Sequence, residues 1–153
     1  MLPELRVTGF DAERDADELV AMWRASFEHG VGVIDPHPIA EQRTFLVEHL
    51  APAHRMALVR DGQGIAAFLA STPDMIAQLY VRVDRLGQGI GSLLLQRARD
   101  ESDGSLWLYT FQRNHAARAF YARRGFTEVA YGVEPTWQLD DVRLEWSRRA
   151  AAQ

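Results

Sequence analysis

The feature that most constrains this chain is a run of three glycines at every second position, Leu86-Gly87-Gln88-Gly89-Ile90-Gly91-Ser92, set between a strand pattern and a helix pattern. Before it, Leu79, Tyr80, Val81 and Val83 are residue types that suit a buried strand, while after it Ile90, Leu93, Leu94 and Ala98 recur at helical spacing. The hydrophobic period changes inside the turn. Glycine lacks the Cβ that would keep a ligand off the backbone, so the amides of Gly87 to Ser92 can converge on an anion at the helix N-terminus. The pattern reads as a phosphate cradle.

What the stretch lacks narrows the phosphate. A nucleotide-hydrolysing P-loop requires Lys followed by Ser or Thr after its last glycine, and the seventeen basic residues of this chain are all arginine. A dinucleotide fold places Gly-x-Gly-x-x-Gly early in a βαβ unit, whereas here the spacing is Gly-x-Gly-x-Gly and lies past the middle of the chain. A pyrophosphate-bearing ligand held by backbone remains.

The segment from Leu79 to Leu95 resembles the acetyl-CoA-binding motif of the GCN5-related N-acetyltransferases (GNAT). A second segment, Asn114-His-Ala-Ala-Arg-Ala-Phe-Tyr-Ala-Arg-Arg-Gly-Phe126, is similar to that family's Asn-x-x-Ala-x-x-Phe-Tyr-x-x-x-Gly-Phe signature, in the usual order and separation. The resemblance implies acetyl-CoA as co-substrate and an α/β fold with a twisted mixed sheet, helices on both faces and two strands splayed around the pantetheine arm. It implies cofactor contacts at Leu79, Tyr80, Val81, Leu86, Gly87, Gln88, Gly89, Ile90, Gly91, Ser92 and Asn114, and Tyr121 as the acid for the departing thiolate. One position departs from the pattern. The family carries Gln or Arg three residues before Gly89, where this chain has Leu86 with Arg85 one place earlier. Either the pyrophosphate loses a side-chain donor or Arg85 supplies it.

The rest of the composition sets bounds. A length of 153 residues with 47% hydrophobic content fits one domain, 1–153, with residues 146–153 as a tail. A formal charge of −4 lacks the basic bias of nucleic-acid-binding domains and suits a cationic or amine acceptor. Neither a membrane-length apolar run nor a signal peptide is present, which makes a cytoplasmic protein the expectation. With no cysteine there is no thiol nucleophile for an acyl-enzyme, and with no lysine no Schiff base. His37 and His49, twelve residues apart and without cysteine, do not form a metal pattern. The expected partner is a small-molecule or peptide amine, with no nucleic acid, no membrane, and a homodimer as an allowed assembly.

Along the chain, Leu5 to Thr8 alternates as a strand, Asp11 to Gly30 forms an amphipathic helix with Trp23 in its core face, and Gly30 to Pro38 reads as a mobile loop. Ile39, Leu46 and Leu50 continue as a second helix. Asp61-Gly62 between two apolar runs signals a hairpin. The strand and helix flanking the cradle follow, then a strand from Leu106 to Thr110. Asn114 caps a helix whose Ala117, Phe120 and Tyr121 face inward and whose Arg118, Arg123 and Arg124 face out, until Gly125 stops it. Phe126 to Tyr131 and Val142 to Trp146 are the last strands, joined by a loop from Gly132 to Asp141. This order is neither a doubly wound sheet nor a helical bundle.

Amide formation from a thioester requires a base as well as an acid. The resemblance implies a Glu or Asp on the strand before the phosphate turn, but that neighbourhood offers Gln78, and nothing in the sequence chooses among Asp74, Glu134, Asp141 and Glu145. A strand amide at Leu79 or Tyr80 suffices to polarise the carbonyl. Two functions fit: an N-acetyltransferase acting by direct transfer, and an acyl-CoA-binding sensor without turnover.

Overall fold

The computed structural model describes residues 4–151. Two antiparallel sheets carry the chain. One has the order β1 (Arg6–Thr8), β2 (Arg55–Asp61), β3 (Gly64–Ser71), β4 (Ile76–Val81); the other runs β5 (Ser105–Phe111), β7 (Leu139–Ser147), β6 (Thr127–Glu134). They meet at a parallel bridge between Met75 and Trp107, where the Trp107 amide donates to the Asp74 carbonyl at 3.1 Å. Past that point β4 and β5 pair no further among the described residues, and the sheet splits into a slot.

Helices cover both faces of the first sheet because β3 is buried on both. Leu58, Ile65, Phe68 and Ala70 pack against α1 (Ala12–Val31) and its neighbours; Val59, Ala67 and Leu69 pack against α4 (Ile90–Asp100) and the inner residues of the second sheet. Alternation along β2 and β3 sorts the two cores, as a pleated strand requires, except at a β3 bulge where Ala66 and Ala67 both join the α4 side. Trp23 is a core residue, 7% exposed, with its ring edge-on to Phe68 at 5.6 Å. Asp11 caps α1 by accepting from the Arg14 amide at 2.9 Å.

The second helix is interrupted. α2 (Ile39–Phe45) passes into a π turn at Leu46–Leu50 before the short α3 (Ala51–Ala53). Pro52 has no N–H to offer the Glu48 carbonyl and its ring would crowd it, and widening the preceding turn relieves both problems.

Several boundaries differ from the sequence reading. Val83 lies in a 3₁₀ turn (Val83–Arg85), 38% exposed, and outside β4. The expected loop from Gly132 to Asp141 is mostly ladder, with Gly132 paired to Asp141 and Glu134 to Leu139, so that residues 135–138 alone form the turn. Residues 146–151 are strand and helix where a tail was expected: Trp146 is 5% exposed in β7, and Arg148–Ala151 form α6. The loop after α1, expected to be mobile, is tied down. Arg24 donates to the Asp35 carbonyl at 2.6 Å, Glu28 accepts from the Asp35 amide at 2.7 Å, and the Asp35 carboxylate lies 2.9 Å from His37 Nδ1. Trp137, at the β6–β7 turn, packs against both His37 and Phe27. No helix among the described residues is long and apolar enough to cross a membrane.

Candidate active site

The cradle is built by three glycines with two different jobs. Gly87 and Gly89 adopt left-handed backbone, φ 75° and 87°, and a Cβ at either would meet no atom within 4 Å. Gly91 is not left-handed; a Cβ there would stand 3.1 Å from Phe120. Gly87 and Gly89 therefore shape the turn, while Gly91 lets α4 approach α5 (His115–Arg123). The N-terminus of α4 has no side-chain cap and no acidic residue in its first turn. Its first amides, at Ile90, Gly91 and Ser92, face out of the helix unsatisfied, with the positive end of the helix dipole behind them.

A cavity of about 440 Å³ opens in front of these amides. It is lined by Tyr121 and by each cofactor-contact residue expected from the sequence except Gln88, whose side chain turns back toward Arg85 and the Asp84 carbonyl. A smaller cavity occupies the slot between β4 and β5 and contains Gln78, Leu108 and Thr110. Leu79, Tyr80, Asn114, Ala117 and Tyr121 line both. They mark the junction where a ligand running along the cradle would enter the slot.

The register of β4 separates the two candidate amides. The Arg82 amide donates to the Ala66 carbonyl at 2.7 Å, and Tyr80 stands opposite Phe68 two residues on. By the alternation of an antiparallel ladder, the amide of Tyr80 is committed to β3, and those of Leu79 and Val81 point away from it. The Val81 carbonyl is already taken by Ser26 Oγ at 3.0 Å. Of Leu79 and Tyr80, Leu79 is the one with its N–H and C=O facing the slot.

Tyr121 is 6% exposed, held edge-on between Phe120 at 5.1 Å and Phe126 at 5.2 Å. The end of α5 fixes it. Phe126 N–H donates to the Tyr121 carbonyl at 3.0 Å and Gly125 N–H to the Ala122 carbonyl at 3.2 Å, a Schellman closure with Gly125 at φ 88°. Its hydroxyl bonds to no protein group among the described residues, and the side chain lines both cavities. Burial, and then the neighbouring Tyr80, push the Tyr121 phenol above its ordinary pKa. Asn114 caps α5 by accepting from the Ala117 amide at 3.1 Å, and its amide nitrogen would stand 2.9 Å from a Cβ at Gly30, so a glycine is required where α1 passes.

Charge around the cradle is arranged by Asp61. This carboxylate, with its side chain shielded from solvent, accepts from Arg82 Nη2 at 2.5 Å and Arg85 Nε at 2.7 Å. Those two arginines hold it far below the usual carboxylate range, the Arg82 hydrogen bond being the largest cause. Arg85 is thus spoken for, and Leu86, 49% exposed, offers no polar group. Arg124, expected to face solvent, instead lines the cavity and donates to Ser92 Oγ. Arg118 lines neither cavity and forms a two-pronged, half-buried pair with Glu128 at 2.8 Å. Ser26 and His29 of α1 complete the wall and were not singled out from sequence, because they lie fifty residues and more from the motif.

None of the four candidate carboxylates lines either cavity. Asp74 accepts from Thr72 Oγ1, Glu134 from the Trp137 amide and Glu145 from Arg143, while Asp141 lies in the ladder opposite Gly132. His37 and His49 belong to other surroundings, the first beside Asp35 and Trp137, the second beside Phe45.

An uncapped helix start, a glycine turn, a partly enclosed cavity and a split between parallel strands lie together in the fold. Residues 44–128 match the Acetyltransferase (GNAT) domain family, more than half the chain, and the protein belongs to that family. The peptidyl-lysine N-acetyltransferase YjaB of Salmonella typhimurium is 27% identical over 112 residues, covering 73% of this chain and 77% of that protein. The solution structure of apo YjaB from Escherichia coli superposes with a TM-score of 0.76 at 19% identity, over 94% of this chain and 97% of that one. The PaiA N-acetyltransferase of Thermoplasma acidophilum, solved with coenzyme A, gives 0.71 at 15% identity over 94% and 99%. The protein is an N-acetyltransferase of the GNAT fold, and acetyl-CoA is the co-substrate that fits the family.

Proposed function

We propose that the chain moves the acetyl group of acetyl-CoA directly to a primary amine within a ternary complex, with the diphosphate on the amides of Gly87 to Ser92 and the thioester at the junction of the two cavities. The observation that carries this reading is Tyr121, a side chain 6% exposed that lines both cavities at that junction and whose hydroxyl has no protein partner among the described residues. A hydroxyl that lines the cavity without a protein partner is free to bond to a substrate atom there. The name of the Salmonella relative supports a lysine side chain on a peptide as the acceptor.

Acetyl-CoA supplies an activated carbonyl and a thiolate leaving group. The Leu79 N–H donates to the thioester carbonyl oxygen and stabilises the negative charge that develops there as the amine attacks, a contribution on the order of 3 kcal/mol. The ammonium proton passes to water, since no carboxylate lines either cavity. As the C–S bond breaks, Tyr121 gives its proton to the sulfur and recovers one from solvent. Burial makes the phenol a weaker acid, but the same apolar surroundings make the thiolate a stronger base, so the two stay matched.

Direct transfer makes a specific expectation. Incubation with acetyl-CoA alone should leave the protein at its unmodified intact mass, because the chain has no cysteine or lysine to carry an acyl group. A stoichiometric acetyl adduct that an added amine then discharges would replace the ternary complex with a two-step mechanism.

A further inference from the structure

The cradle lacks a side-chain donor at Leu86, and the arginine beside that position is held by Asp61. A different arginine has its charge available. The Arg124 guanidinium carbon lies over the Phe120 ring, 3.8 Å from its centroid, and Nη1 donates to the Phe120 carbonyl at 2.9 Å. Its Nε and Nη2 both donate to Ser92 Oγ, at 3.0 and 2.7 Å. All of these acceptors are neutral, and no carboxylate pairs with Arg124 among the described residues. The positive excess is felt nearby: burial first, and then the Arg124 charge, lower the pKa of Arg99.

The contact with Ser92 has a directional consequence. Two N–H groups occupy the lone pairs of Oγ, so the hydroxyl proton of Ser92 is left to donate elsewhere. Ser92 is the third residue of α4, beside the free amides of Ile90 and Gly91. Arg124 therefore presents a charge and orients a hydroxyl donor at one helix start.

We propose that Arg124 is the side-chain cation for the diphosphate of the acyl-CoA, supplying from the end of α5 the donor that Leu86 cannot supply from the turn, partly by contact and partly by aiming the Ser92 hydroxyl. This rests on the acetyl-CoA reading above. The diphosphate is favoured over the 3′-phosphate because Arg124 is joined to Ser92 on the helix start, where the amides converge.

Three donors separate the roles: acetyl-CoA, acetyl-dephospho-CoA without the 3′-phosphate, and S-acetylpantetheine without any diphosphate. Arg124→Ala should raise KM for the first two equally, roughly 10- to 100-fold, with kcat within about twofold and S-acetylpantetheine unaffected. Arg124→Lys, which keeps the charge but not the planar fork, should recover part of the loss. Ser92→Ala should cost less, and should add little on top of Arg124→Ala. An equal loss on all three donors would make Arg124 merely structural and overturn the proposal, and thermal unfolding of each variant reports that case independently. A loss confined to acetyl-CoA would assign Arg124 to the 3′-phosphate and also overturn it. If the wild type itself does not prefer acetyl-CoA over S-acetylpantetheine, the cradle reading fails first, and Arg124 with it.

Discussion

Gly89→Asp is expected to weaken acetyl-CoA binding by roughly 100-fold while leaving the fold in place. A Cβ at residue 89 meets nothing within 4 Å, so the added atoms project outward without displacing a neighbour. Asp tolerates the left-handed backbone at φ 87° better than most residues, which keeps the cost to the protein small. The cost to the ligand is large. A carboxylate would stand among the free amides of α4, and a like charge placed against a diphosphate in a partly enclosed cavity costs about 3 kcal/mol, or roughly 100-fold in affinity. Gly89→Asn separates charge from shape and should lose less. Isothermal titration with acetyl-CoA checks both variants, and undiminished affinity in Gly89→Asp would remove the diphosphate from this turn.

Tyr121→Phe is expected to lower kcat by roughly 100-fold with acetyl-CoA affinity nearly unchanged. The ring contacts with Phe120 and Phe126 do not involve the hydroxyl, and that hydroxyl has no protein partner to orphan, so the fold should survive. The pH profile adds a second readout. A general acid stops working above its pKa, and because burial and Tyr80 raise that of Tyr121, the alkaline fall in the wild-type rate due to this group should lie above about pH 10, the ordinary tyrosine value. Wild-type turnover in the variant, measured where chemistry limits the rate, would assign thiolate protonation to water.

Local chemistry made the strand, the turn and both flanking helices legible, because glycine spacing, the period change and the Asn114 and Gly125 caps are properties of short stretches. The rest depends on partners distant in sequence. Gly91 looks like its two neighbours in the run, yet what requires it is Phe120, on another helix. Leu79 and Tyr80 are equivalent as strand residues, and the hydrogen bond of Arg82 to Ala66 across the ladder is what tells their amides apart. Helical spacing sends Arg124 outward, but it is the cap residue of α5, at φ −108° and ψ 19°, where the helical angle no longer applies. The turn from Gly132 to Asp141 is rich in loop formers, and its pairing follows from the register that β7 imposes. No sequence signal distinguished the four carboxylates, and in the fold none of them reaches the site.

The most direct test of the account is a single reaction: acetyl-CoA with an isotopically labelled acetyl group, a lysine-containing peptide, and the purified chain. The account expects free CoA thiol and labelled acetyl-lysine to appear in equal amounts, with no labelled protein at any time. Tight acetyl-CoA binding with no amide formed on this peptide or on a broad panel of primary amines would contradict it, and would make the site a sensor of the acyl carrier instead of a catalyst.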